Sequence, residues 1–174
     1  MKRQLFVLAT LACVVGAGFV HSAHAGTIFK RGANWNYYKG NDHPSGGDLE
    51  WTEAEFDDSD WENGPSPFRY GDGSGGTPLN DMRNKYTTMF FRKTFTVANP
   101  DNISEMDFII DYDDGFTVWI NEEEVLNVSG PANPDYDSVA TVGHESGTFE
   151  TFAIQDPALF LTKGKNVIAI MGFN

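Results

Sequence analysis

The sequence predicts an all-β protein, a sandwich or a barrel formed by one domain. Short β-rich runs alternate with Gly, Pro, Asn and Asp clusters along most of the chain. No helix-period apolar pattern lasts longer than about two turns. With 174 residues, 40% hydrophobic and 14% aromatic, the chain is long enough for one sizeable core and too rich in large apolar side chains for disorder.

The N-terminus reads as an export signal rather than as fold. Lys2 and Arg3 precede an apolar run from Leu5 to Val20, and Ala23-His24-Ala25 has the small-x-small form that a signal peptidase cuts. A run of about 16 apolar residues, broken by Gly16 and Gly18, is short for a membrane span. Cys13 lies inside the run with Thr10 where a lipoprotein signal needs an aliphatic residue, so lipid attachment is not expected. The expected division is a signal peptide over 1–25 and one domain over 26–174, secreted to an extracellular or periplasmic space. Cleavage removes two cations and no acid, taking the formal charge from −13 to −15. It also removes the only Cys, so neither a disulfide nor a thiolate site is expected in the mature chain. Such acidity repels phosphate backbones and anionic lipid; neither nucleic acid nor membrane insertion is expected of the mature form.

In order, Trp35 to Tyr38 reads as a short strand, Gly40 to Gly47 as a loop, and Asp48 to Trp61 as one or two helical turns anchored by Phe56 and Trp61. Gly64 to Asn80 is Gly- and Pro-rich loop, long enough to be functional or wrapped on the surface. Thr87 to Val97 is a strand in which Phe91, Lys93 and Phe95 share a face, so either a bulge intervenes or Lys93 snorkels. Ser104 to Tyr112, Phe116 to Asn121, Val125 to Val128, Thr148 to Ile154 and Lys165 to Met171 are further strands, with a helical turn over Pro157 to Leu161. Alternation around Asp113-Asp114-Gly115 predicts a hairpin with Tyr112 opposite Phe116, Ile110 opposite Val118 and Phe108 opposite Ile120. The expected core is Phe91, Phe95, Phe108, Ile110, Val118, Ile120, Phe152, Ile154, Val167 and Ala169.

An ordered set of motifs carries a resemblance. Asp57-Asp58-Ser59-Asp60-Trp61, Phe68-Arg69-Tyr70-Gly71-Asp72 and Phe90-Phe91-Arg92-Lys93-Thr94-Phe95 come first. Tyr112-Asp113-Asp114-Gly115 with Trp119-Ile120-Asn121, and Leu161-Thr162-Lys163-Gly164-Lys165-Asn166-Val167-Ile168-Ala169, follow. From about Trp35 onward the chain resembles the galactose-binding-like domains, accessory modules of large secreted bacterial proteins. A related pattern occurs in the sugar-binding domain of β-galactosidase-type glycoside hydrolases. The resemblance implies an antiparallel two-sheet jelly-roll sandwich with short helical turns. Two departures stand out. Asn121-Glu122 replaces the family's Asn-Gly, which suggests a longer turn, and the family pattern continues into a further strand after the last motif.

This fold hosts many ligands, so the site must be argued from residues. The hairpin register puts Trp119 on the outer face with Asp111 and Asn121, either covered by a loop or open to a ligand. Trp35 and Tyr38 lie in a polar strand, and Arg69 is nearby in the motif order. Flat rings stack on sugar C–H faces while Asp, Asn and Arg bond the hydroxyls, so these six are the candidate ligand-binding residues. The acidic run offers Asp57, Asp58 and Asp60, with Asp72 in the Gly-rich loop, either as turn caps or as ligands for one structural calcium ion. No catalytic residues are assigned and no enzyme activity is expected. Three functions stay open: a carbohydrate-binding accessory module for a neutral or weakly basic glycan, which is favoured; a structural or cell-surface interaction domain; and a fragment of a larger secreted glycosidase whose catalysis lies elsewhere.

Overall fold

A computed structural model describes residues 10–15, 25–71 and 73–174. Most of the expected signal peptide, and Asp72, lie outside these residues. Twelve strands are present among the described residues: β1 (Thr10–Val15), β2 (Ala25–Thr27), β3 (Asn34–Lys39), β4 (Glu62–Pro65), β5 (Phe68–Arg69), β6 (Thr77–Pro78), β7 (Thr88–Val97), β8 (Ile103–Ile110), β9 (Gly115–Ile120), β10 (Glu123–Val128), β11 (Glu150–Ile154) and β12 (Gly164–Phe173). Three 3₁₀ turns are the only helical pieces among them. A four-stranded sheet in the order β11-β8-β1-β2 packs against a six-stranded sheet in the order β10-β9-β12-β7-β3-β4. All pairings in both sheets are antiparallel, so the protein is an all-β sandwich. The edges of the larger sheet are β10, with exposed Glu123 and Glu124, and β4, with exposed Glu62 and Pro65.

The main core lies between the sheets. Phe108 and Ile110 of β8 face Phe116, Val118 and Ile120 of β9, Ile168 and Ile170 of β12 and Phe91 and Phe95 of β7. The alternation read from the sequence is therefore right for β8 and β9, but the hairpin is not formed. β8 and β9 lie in different sheets, and Asp113 to Gly115 carries the chain from one to the other. Phe108 and Phe116 meet across the sandwich with ring centroids 5.8 Å apart, and Tyr112 meets Phe116 edge-on at 4.8 Å. Two strands that both point apolar residues inward satisfy the same pattern side by side or face to face, and the pattern cannot distinguish them.

The last strand is a second correction. Ile168 and Ile170 point into the main core, while Ala169 belongs to a separate cluster on the opposite face with Trp51, Phe90, Trp119, Met171 and Phe173. β12 is central and buried on both faces from Val167 to Phe173, so no apolar-polar alternation marks its inner side. Phe152, expected in the core, packs at its margin, partly buried.

Lys93 snorkels, with no bulge. The β7–β12 register runs unbroken from Thr88↔Phe173 to Val97↔Gly164. The Lys93 ammonium donates to the Asn34 carbonyl at 2.6 Å and sits 5.5 Å from the Phe29 ring centroid and 5.9 Å from that of Trp35. Its aliphatic stem thus stays on the apolar face while the charge finds an acceptor at the sheet margin, and burial holds its pKa below the ordinary lysine value.

The turn after β9 is short, against expectation. Glu123 pairs with Ile120, so only Asn121 and Glu122 form the loop, with φ of 49° and 74°. This is the backbone of a two-residue primed hairpin turn, which normally places Gly second. Glu122 pays a left-handed penalty that glycine does not, so Glu122→Gly is expected to raise stability by about 1 kcal/mol. The urea midpoint checks it; a lower midpoint would refute the turn assignment.

Candidate functional site

The outer face of the six-stranded sheet is closed by the segment between β3 and β4. Its anchor is Arg92, which projects outward from β7 and is only 1% exposed. The guanidinium donates to the Asp58 carboxylate at 2.8 Å, to the Glu53 carbonyl at 3.0 Å, to the Phe56 carbonyl at 3.4 Å and to the Trp51 carbonyl. It also lies 5.1 Å from the Phe56 ring centroid. Pinned this way, the 3₁₀ turn Glu50–Thr52 lays Trp51 edge-on against Trp119 at 5.3 Å and against Phe90 at 5.0 Å. Trp51, rather than Phe56 or Trp61, is the fully buried aromatic of this segment.

That closure relocates the expected ligand residues. Trp119 is only 2% exposed beneath Trp51. Trp35 is a core residue packed 5.5 Å from Phe29. Asn121 spends its side chain on the structure, accepting from the Val167 N–H and donating to the Asn166 side chain and the Phe160 carbonyl. Asp111 accepts the Gly147 N–H at 2.8 Å, and Arg69 donates to the Gly75 carbonyl at 2.8 Å. The six residues do not converge. Tyr38 borders a hollow with a second ring, Trp61, 5.5 Å away, and the edge of Trp119 reaches a separate hollow beside His43 and Glu124.

The acidic run also divides. Asp57 accepts the Ser59 N–H at 3.0 Å in a local turn; the hydrogen bonds from Ser59 lower its pKa. Asp58 is neutralised by Arg92. Asp60 lines the hollow beside Tyr38. Among the described residues no three His, Cys, Asp or Glu side chains are grouped to hold a metal ion.

A cavity of about 610 Å³ lies beside Phe29, Lys93 and Phe95, and one end of the sandwich carries two smaller concavities that adjoin. A cavity of about 500 Å³ is walled by Tyr70 after β5, the Met82–Thr87 turn and the Tyr136–Val139 loop, and a hollow of about 220 Å³ adjoins it between Tyr38, Asp42, Asp60 and Trp61. Asn41 lines both. Tyr70, Tyr136, Tyr38 and Trp61 are partly exposed, and Asn41, Arg83, Asn84, Lys85 and Asp137 are exposed around them.

A charged network stiffens the floor. Lys39 bridges Glu62 at 3.1 Å and Asp81 at 3.2 Å, Tyr37 donates to Glu62 at 2.8 Å, and Tyr86 donates to Asp81 at 3.0 Å. Burial raises the Tyr37 and Tyr86 pKa values, and their carboxylate partners push them further up. Burial works against the Lys39 charge, but its bonds to Glu62 and Asp81 outweigh it and hold the pKa above the ordinary lysine value. The Asp81 carboxyl is held low because bonds from Tyr86 and Lys39 outweigh its burial. Tyr38 donates to Asp42, which with burial pushes its pKa up to about 12. The opposite wall is held by the Thr87 and Thr88 hydroxyls, which donate to the Ser138 and Tyr136 carbonyls. Gly40 permits this approach: a Cβ there would meet Thr88 Oγ1 at 1.9 Å and the Tyr136 carbonyl at 2.9 Å.

Sequence reasoning missed Tyr70, Tyr136, Arg83 and Asn84. The one signal that pointed toward this end was the long Gly- and Pro-rich loop. It is pinned by buried Phe68 and Leu79, and it delivers Tyr70 to the cavity. Among the described residues no helix is long and apolar enough to cross a membrane. No protein-family model matches the chain, and no curated protein matches it.

Proposed function

We propose that this chain is a secreted, non-catalytic carbohydrate-binding module of the galactose-binding-like kind, taking its glycan at the cavity and hollow joined by Asn41. The observation that carries the reading is the placement of four partly exposed rings, Tyr38, Trp61, Tyr70 and Tyr136, around two adjoining concavities. Small-ligand pockets run at about 300–1,000 Å³, so the larger cavity suits a sugar residue and the smaller one a neighbouring ring of the same chain. Rings supply the apolar platform and Asn41, Asn84, Arg83 and Asp137 supply hydrogen-bonding groups for hydroxyls. The floor network fixes the walls before a ligand arrives, which lowers the ordering cost of binding. The acidity of the chain disfavours a strongly acidic glycan.

The test is a glycan array followed by calorimetric titration with the best neutral oligosaccharide. Tyr136→Ala and Tyr70→Ala are each expected to weaken binding about tenfold or more, near 1.4 kcal/mol, with circular dichroism unchanged. Trp119→Phe, beneath Trp51, is expected to leave affinity intact. Absence of binding by the parent to every glycan would favour a structural or cell-surface interaction domain.

A further inference from the structure

Six residues of the apolar run of the expected signal peptide belong to the sandwich. Thr10–Val15 forms β1, inserted between β8 and β2. Six residues of β1 pair with β8, from Thr10↔Ile109 through Cys13↔Met106 to Val15↔Ile103, with one irregularity between Val14 and Val15. On its other side β8 pairs with β11. Removing residues 1–25 would therefore turn a central strand into an edge whose backbone donors and acceptors face solvent, beside Met106, Phe108 and Ile110, all fully buried in the precursor.

We infer that this side of β8 is a strand-receptor site, filled in the precursor by the leader's own Thr10–Val15 and, after cleavage, by an extended, uncharged, apolar segment of another polypeptide. The inference rests on the leader reading made above. Three features set the chemistry of the occupant. The seated strand, Thr-Leu-Ala-Cys-Val-Val, has no charge. β8 itself carries Glu105 and Asp107, which repel an acidic segment. A second copy of β8 fits badly: antiparallel self-pairing centred on Met106 would set Glu105 opposite Asp107, like charge against like. The remaining mode is addition of a strand, in which the main-chain ladder gives affinity and small or apolar side chains are admitted at alternate positions.

The chain's single cysteine makes the register measurable. Cys13 and Met106 are Cα partners, and directly opposed residues of antiparallel strands lie within disulfide reach. In the full chain carrying Met106→Cys, oxidised glutathione is expected to close an intramolecular disulfide, seen as a reducible mobility shift. Thr151→Cys, on β11 and away from β1, is expected not to close one. Exported Met106→Cys protein, its N-terminus read by mass spectrometry, is then offered a synthetic peptide spanning residues 8–17. A mixed disulfide with this peptide, absent with a scrambled peptide of the same composition, supports the receptor site. Equal crosslinking at both introduced thiols, or none in the full chain, overturns it, as does indifference of the cleaved protein to peptide order. An exported mass that retains the leader overturns cleavage alone; the full-chain crosslink then still decides whether β8 receives the strand.

Discussion

Replacing Arg92 with methionine is expected to cost about 3–5 kcal/mol and to lift the outer layer from the sheet. The substitution keeps most of the side-chain volume, so packing loss is not the main effect. It leaves the Asp58 carboxylate and the carbonyls of Trp51, Glu53 and Phe56 without their donor in a place water reaches poorly. Asp58→Asn is expected to cost less, about 1 kcal/mol, because that side chain is 23% exposed and the three carbonyl bonds survive. Because Trp51 and Trp119 lose their mutual cover, tryptophan emission in Arg92→Met should shift to the red before the β-sheet signal melts. A variant that melts with the parent and keeps its emission maximum would show that the guanidinium does not hold this layer.

Phe108→Ala is expected to cost about 3–5 kcal/mol, a large share of the 5–15 kcal/mol typical of a domain. In the full chain, in which the variant is to be measured, Phe108 is fully buried, opposite Leu11 and Phe152 in its own sheet and against Phe116 across the core. No neighbour can collapse into the space without moving a strand, which places the site toward the costly end of such truncations. Ile109→Ala, the adjacent residue on the other face, is expected to cost about 1 kcal/mol. Denaturant unfolding of the pair reads the facing of β8 directly: a larger loss at Ile109 would mean that the strand is turned over, and equal losses that it is buried on both sides.

The sequence was most informative where one face of a strand meets the core and the other meets something polar. β8 obeys this, with Met106, Phe108 and Ile110 buried and Glu105, Asp107 and Ile109 less so. So does the Lys93 exception, legible because a lysine between two inward phenylalanines must either be bulged out or reach a margin. Legibility failed where burial is two-sided. Val167 to Phe173 is a continuous buried run, and nothing in it says that Ile168 rather than Val167 faces the other sheet. The same two-sidedness hid Trp119. Its outward direction was readable, but its cover depends on Arg92 reaching three carbonyls and a carboxylate 34 to 41 residues away, a contact that leaves no local pattern. The ligand end was hidden for a related reason. Tyr38 comes from β3 and Tyr70 and Tyr136 from two separate loops, and they are neighbours only after the chain has folded.

The charge placed on the margins of the larger sheet bears on solubility. Glu123 and Glu124 on β10, and Glu62 with Pro65 on β4, meet any second molecule that approaches to extend the ladder. Carboxylates repel their counterparts on the incoming copy, and proline withholds a donor, so intermolecular sheet growth is blocked without covering either margin. The safeguard is electrostatic at β10, whereas at β4 the missing proline donor adds a hydrogen-bonding block, and the two fail differently. Salt screens the first and leaves the second. Colloidal stability at high ionic strength is thus limited by the β10 margin, however firmly each molecule is folded.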